Sequence, residues 1–312
     1  MPLTSAAIDI PTSYETLNLT HIKISHHPIG SPSATPVVIL TLNRPEKHNA
    51  FTPDMADSLT RAYQMFHVDP RVKVVVLTGT GRMFCAGMDL DIGFGDGEGR
   101  AVDFRDIGGR VTLAMHRCHK PTIVALQGSA VGVGMTMTLP AAVRICHEKS
   151  KFGFVFTRRG LTIESCASYF LPRLIGFSRA MHLISTGGVY PPSPKYFGDL
   201  FTEVLPDSAQ VLPRALEMAQ DMAENTSPLA SSMSRALMWE CPTSPEEAHL
   251  LESRVFHHMI GQKDYREGVN SFLEKRKPRF ETDPRDSSAP NYPWWPEANI
   301  ALEPSVSKSS KL

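Results

Sequence analysis

The sequence predicts an α/β fold: a sheet core over residues 20–199 and a helical region over 200–280, with an N-terminal extension (1–19) before them and a proline-rich tail (281–312) after. Three observations carry this. Short apolar, β-branched runs recur at 37–42, 72–77, 122–126 and 143–147. Loops and helix-period apolar spacing alternate with them, as expected of a sheet covered by helices. After Gly176 the strand pattern stops, and helical patterns at 178–185, 208–225, 229–239, 245–260 and 265–275 take over.

Taken in order, the strand at 37–42 runs into the loop Asn43-Arg-Pro-Glu-Lys-His-Asn-Ala50, and a helix over 53–67 follows. Thr52 suits its N-cap and Pro53 its first turn, while Met55, Leu59, Ala62, Tyr63 and Phe66 share one face. Asp69-Pro70 ends it. The unbroken apolar run at 72–77 fits a strand covered on both faces. Thr78-Gly-Thr-Gly-Arg82 breaks into a loop, and Phe84-Cys-Ala-Gly-Met-Asp-Leu90 follows. Small residues there let a ligand approach the backbone, and Gly87 permits unusual dihedrals. A glycine-rich, mobile segment at 93–99, a helix over 102–118, the strand at 122–126, Gly128 to Gly134 with a short helix, and the strand at 143–147 complete the core.

Composition excludes several function classes. The 312 residues are 42% hydrophobic and carry 32 basic and 32 acidic side chains, so no net field draws the chain to nucleic acid. The five cysteines are odd in number, unpaired by any CxxC and without clustered histidines, which argues for a reducing interior and against structural zinc; no metal is expected. The N-terminus lacks the pattern of a secretory signal. Residues 121–143 are uncharged and long enough for a bilayer, yet their prolines, glycines and threonines read as strand, turn and short buried helix, so no membrane span is expected. The GxxxGxG spacing at 128–134 is not the dinucleotide pattern, and no P-loop is present. Met218, Met222, Met233, Met238 and Met259 fall at helical spacing and suit core or subunit packing, and the adjacent His257 and His258 cannot form a metal pair on one helix face.

One carboxylate stands out. Glu164 is the sole acid between Glu148 and Asp199, among Leu161, Ile163, Cys166, Ala167, Tyr169, Phe170 and Leu171. Such surroundings penalise its charged form and raise its proton affinity, which is how a general base is tuned. The competing reading makes it the cap of a helix starting near Ser165, and this stretch alone favours the cap.

Arg44-Pro-x-x-x-Asn49-Ala50, Phe84-Cys-Ala-Gly-Met-Asp-Leu90, Gly128-x-Ala-x-Gly132 and Phe152 with Gly160, in that order, resemble the crotonase (enoyl-CoA hydratase/isomerase) superfamily over residues 20–280. Residues 152–176 are most similar to peroxisomal Δ3,Δ2-enoyl-CoA isomerases. The resemblance implies a spiral of ββα units with a helical C-terminal trimerisation region, a homotrimer or hexamer, and an acyl-CoA thioester substrate of fatty-acid β-oxidation. It implies no cofactor, coenzyme A being part of the substrate. Backbone N–H groups of Met88 and Val133 would form the oxyanion hole, aided by the dipole of the short helix that Val133 opens. CoA would lie along Lys47 to Ala50 and along Ala86, Gly87, Met88, Asp89 and Leu90, with Lys275, Arg276 or Lys277 near its phosphates.

The two glutamates of the hydratases match Thr136 and Phe156 here, so the two-carboxylate water chemistry looks absent, and Thr136, Phe156 and Arg158 do not supply the acids of the dienoyl-CoA isomerases. The single glutamate of the Δ3,Δ2-isomerases matches Glu164, which would carry a proton from C2 to C4. A hydratase-like enzyme of fatty-acid or specialised metabolism and a non-catalytic acyl-CoA-binding protein are the alternatives. In the tail, Trp294 and Trp295 can dock on the body, and Ser310-Lys311-Leu312 match the address read by the peroxisomal import receptor, which places the protein in peroxisomes.

Overall fold

The computed structural model describes residues 8–93, 95 and 100–300. The tripeptide 310–312 and most of the glycine-rich segment lie outside them. Strands β1 (Ile22–His27) and β2 (Val37–Leu42) pair antiparallel. Helix α1 (Pro53–Val68) follows, its Thr52 side chain accepting from the Met55 N–H as the sequence predicts. β3 (Val74–Gly79) and β4 (Met83–Cys85) lead to α2 (Ile107–Arg117), β5 (Thr122–Ala125) and β6 (Ser129–Val131) to α3 (Val133–Thr136), and β7 (Val143–His147) and β8 (Phe152–Gly153) to α4 (Ala167–Ile175). The chain thus repeats strand, strand, helix. β1 and β2 both join a six-stranded sheet ordered β1-β2-β3-β5-β7-β10; in the three later pairs the first strand joins that sheet and the second joins a smaller one ordered β4-β6-β8-β9. After α5 (Phe177–Thr186), β9 (Val189–Tyr190), α6 (Pro194–Phe197) and β10 (Glu203–Leu205) close the two sheets.

The large sheet is covered on both faces, as the apolar run of β3 requires. One face, with Val38, Leu40, Leu42, Val75, Leu77 and Val124, packs into the main core together with α1. The other, with Val37, Val74, Val76, Ile123 and Ile145, receives α7 (Val211–Asn225). Ala215, Ala219 and Ala223 recur every fourth residue there, a small-residue stripe that lets the helix lie close to the strands. The remaining helices are α8 (Pro228–Trp239), α9 (Pro245–Ile260), α10 (Lys263–Leu273) and the short α11 (Pro284–Ser287). None among the described residues is long and apolar enough to cross a membrane.

Several boundaries differ from the sequence reading. The helix expected from 102 begins at Ile107, because the Asp106 side chain accepts from the Gly109 N–H and sets the cap there. The helix expected from 208 starts at Val211, after one tight turn. Helix α10 starts at Lys263 and stops at Leu273, so Lys275 lies beyond it with a left-handed φ of 54°. The tail is docked up to Ile300: the Trp294 indole donates to the Glu240 carbonyl and Arg105 donates to the Ile300 carbonyl. His258 lies within hydrogen-bond distance of the Ser287 carbonyl, a structural contact. Met218 and Met222 pack against the α7 core and Met233 is buried, whereas Met238 is exposed.

Candidate active site

The parallel pairing of β4 with β6 aligns Met83 with Ser129 and Cys85 with Ala130, and so brings the segment after β4 beside the start of α3. The approach is close enough to demand glycine. A Cβ on Gly134 would meet the Cys85 carbonyl oxygen at 2.7 Å, and one on Gly128 would meet that of Arg82 at 2.3 Å, so these glycines of the GxxxGxG run serve layer packing. Gly132 opens α3 at φ 55°, ψ −128°, which a side chain would strain.

On the other side of this segment, Phe51 donates its N–H to the Gly87 carbonyl and accepts from the Asp89 N–H, bridging past Met88. Among the described residues, neither the Met88 nor the Val133 N–H donates to a protein acceptor. Two unpaired donors on adjoining segments are what an oxyanion needs. The dipole expected of α3 adds little, because the helix is a single turn of four residues.

Glu164 faces the same place. Its carboxylate accepts from Thr136 Oγ1 of α3 at 3.0 Å and from Ser165 Oγ at 2.5 Å. A Cβ built on Gly108 of α2 would fall 2.2 Å from Glu164 Oε2 and 3.0 Å from Val133 Cγ2, so Glu164, Val133 and the bare backbone of Gly108 converge. The capping reading is therefore wrong. Helix α4 begins at Ala167, and Ser165 and Cys166 precede it with left-handed φ values of 55° and 56°. That turn directs Glu164 back toward α2 and α3 instead of onto the α4 amides. Burial pushes its carboxyl up to about 8, reinforced by Asp106, against the opposing hydrogen bonds from Ser165 and Thr136.

Asp106 is the residue that sequence reasoning missed. Its Oδ1 accepts from the N–H groups of Gly109 at 2.5 Å and Ser165 at 3.1 Å, and its carboxyl lies within side-chain hydrogen-bond reach of Glu164, so a second acid adjoins the first. An aspartate just ahead of Ile-Gly-Gly-Arg is an N-cap signal, and it could have marked both the true start of α2 and this acid.

The structure also places the residues expected to hold CoA. The Ala86 N–H donates to the His48 carbonyl at 3.1 Å, which seats the loop of Lys47 and Ala50 alongside Ala86, Gly87 and Met88. Leu90 is exposed, and the exposed Lys47 amine meets Asp91 at 2.9 Å. Asp89 offers only its backbone: its carboxylate is buried and paired with Arg44 at 2.5 Å. The motif around Asn49 is likewise structural, since its buried amide donates to the Thr80 and Met83 carbonyls and accepts from the Arg44 N–H. Of the three basic candidates, Arg276 pairs with Glu267 and Glu274 and Lys277 with Glu224, while Lys275 has no ion pair among the described residues. Phe156 lies in the main core. Among the described residues no group of three His, Cys, Asp or Glu is arranged to hold a metal ion.

Comparison with known proteins bears on this geometry. A sequence model of the family described as Enoyl-CoA hydratase/isomerase matches residues 33–283. The chain is similar to the enoyl-CoA hydratase AFT3-1 of Alternaria alternata, 43% identical over 260 residues that cover 83% of this chain and 88% of that protein. It is similar to the 1,2-epoxyphenylacetyl-CoA isomerase of Escherichia coli, 30% identical over 78% of this chain and 94% of that one. Among solved structures, the enoyl-CoA hydratase of Bacillus anthracis superposes with a TM-score of 0.74 at 27% identity, over 84% of this chain and 99% of that one.

Proposed function

The chain belongs to the enoyl-CoA hydratase/isomerase family and has its crotonase fold, and from that premise we propose that it moves the double bond of a 3-enoyl-CoA into conjugation with the thioester, with Glu164 as the proton carrier. One observation carries the reading: a single half-buried carboxylate of raised proton affinity converges with two unpaired backbone N–H donors. In the reaction, the thioester oxygen accepts from Met88 and Val133. Glu164 takes a proton from C2, and the electrons of that C–H bond pass to the thioester oxygen as a dienolate. The carboxyl then returns a proton to C4 as the carbonyl re-forms and the double bond settles between C2 and C3. No water is consumed, and no cofactor beyond the substrate's own CoA is called for. Each oxyanion donor of this kind is worth about 3 kcal/mol of barrier. Thr136 holds one oxygen of Glu164, and apolar Phe156 offers no acid to orient a water.

A second reading, hydration of a 2-enoyl-CoA, is favoured by the names of the relatives such as AFT3-1. It needs a second carboxylate in contact with the water. Asp106 is the candidate, but two backbone N–H groups occupy its Oδ1 and its carboxyl is engaged with Glu164 itself. Mass analysis of the products separates the readings. Incubated with a 3-enoyl-CoA, the purified protein is expected to yield a 2-enoyl-CoA of unchanged mass. A product heavier by one water from a 2-enoyl-CoA, with no shift of the 3-enoyl isomer, would replace the first reading by the second.

We assign the address Ser310-Lys311-Leu312 to the peroxisomal import receptor and the exposed apolar residues of α9 and α10, among them Phe256, Val269 and Phe272, to contacts within a trimer or hexamer. Expressed with Leu312 as its last residue, a tagged chain should colocalise with peroxisomes, and removal of the tripeptide should leave it in the cytosol. Unchanged import of the truncated chain would overturn the address, and a monomeric mass by light scattering would overturn the assembly.

A further inference from the structure

We propose that Asp106 is the positioning residue of the catalytic base: fixed behind Glu164, its carboxylate keeps the proton on Glu164 between its removal from C2 and its return to C4. The proposal rests on the reading of Glu164 as proton carrier.

The geometry is a relay around one residue. The Ser165 N–H donates to Asp106 Oδ1 at 3.1 Å and the Ser165 hydroxyl donates to Glu164 Oε2 at 2.5 Å, so Ser165 ties together two carboxyl groups that are themselves within hydrogen-bond reach of each other. The Gly109 N–H holds Asp106 from the other side at 2.5 Å, and a Cβ on Gly109 would meet its Oδ2 at 2.7 Å. Among the described residues no basic side chain pairs with either acid. On α2, Arg110 pairs with Asp57, and Arg117 acts as a field at Cys166 and His116; ahead of α2, Arg105 donates to carbonyls. From α3 the neighbours are the uncharged Val133 and Thr136. The Val155–Arg159 turn contributes Phe156, with Arg158 donating to the Thr186 carbonyl. Two like charges this close resist simultaneous ionisation, and the adjoining carboxyl thereby strengthens the hold of Glu164 on its proton. A base that gave up its proton to water after the first half-reaction would exchange it before C4 was protonated. Burial and the adjoining acid raise the proton affinity of Glu164 together, which favours internal return.

Asp106→Asn tests this, because asparagine caps helices as well as aspartate and can accept the same N–H groups while lacking the charge. With the like charge gone, Glu164 should ionise at lower pH. The acidic limb of the pH profile of kcat/KM is then expected to move down by about one unit. Deuterium incorporated from D2O into the isomerised product should rise, since the proton escapes more often. A purely structural cap predicts an unchanged limb and unchanged incorporation in the folded variant, and that result overturns the proposal. If Asp106→Asn fails to fold, Asp106→Ser, another capping residue without charge, should give the same two shifts or refute them. Failure of the underlying reading is distinct: it shows as retained turnover in Glu164→Gln, whatever Asp106 does.

Discussion

Glu164→Gln should lower the rate on a 3-enoyl-CoA by roughly 100-fold or more and leave thioester binding nearly unchanged. The amide keeps the shape, its carbonyl oxygen accepting from one of Thr136 Oγ1 and Ser165 Oγ while its NH2 donates to the other, but it cannot carry the proton. The oxyanion donors are backbone groups of Met88 and Val133, so they survive the change. Stability gives a second, independent readout. The folded carboxyl holds its proton up to about 8, well above an unfolded glutamate. Between those values the native state binds more protons than the unfolded chain, so its stability is full at low pH and declines as pH rises through the folded value. Glutamine is neutral throughout and escapes that decline. The Tm of Glu164→Gln, relative to the parent, should therefore climb with pH, whereas loss of a helix cap would lower it by about 1 kcal/mol of stability at neutral pH. Near-normal isomerisation by the folded variant would remove Glu164 from the mechanism.

The fold was readable where the sequence carries long periods. Thr52 ahead of Pro53 and the apolar stripe through Phe66 mark α1, and the apolar run of β3 announces a strand covered on both faces. The second sheet was not readable, because β4, β6, β8 and β9 are two or three residues long, too short for alternation to register. The site divides in the same way. Glu164 stands out in sequence because no other acid lies near it along the chain, and Met88 and Val133 follow from motif resemblance. Its orientation could not be read: it depends on left-handed backbone at Ser165 and Cys166, neither of which is a residue that advertises that conformation. Asp106 was hidden for another reason. Its capping position is a local signal, but its meeting with Glu164 comes from the packing of α2 against the start of α4, a contact between distant stretches that no local pattern encodes. Asp89 shows the converse, a motif residue whose carboxylate holds Arg44 and thereby shapes the loop without facing a ligand.

The second large effect is expected at Gly108, where alanine should cost about 100-fold in kcat and little in stability. Gly108 lies in the first turn of α2 without a positive φ, so the backbone accepts alanine, and in a helix alanine is intrinsically favoured over glycine by about 1 kcal/mol. The added methyl, however, would sit 2.2 Å from Glu164 Oε2 and 2.1 Å from Ser165 Oγ, far inside van der Waals contact. The carboxylate is the far end of a flexible side chain and yields first, so the strain is relieved by moving the base. A displacement of about 1 Å between base and reacting carbon is enough for a 100-fold loss. Gly268→Ala in α10 is the control: its methyl would meet Phe280 only at 3.6 Å, an ordinary contact remote from the site, so it should leave kcat unchanged. Steady-state kinetics and thermal unfolding of the two variants side by side decide the matter. If Gly108→Ala turned over 3-enoyl-CoA at the parental rate, Glu164 would not be held against α2 during catalysis, and the convergence of base, oxyanion donors and glycine would carry no mechanism.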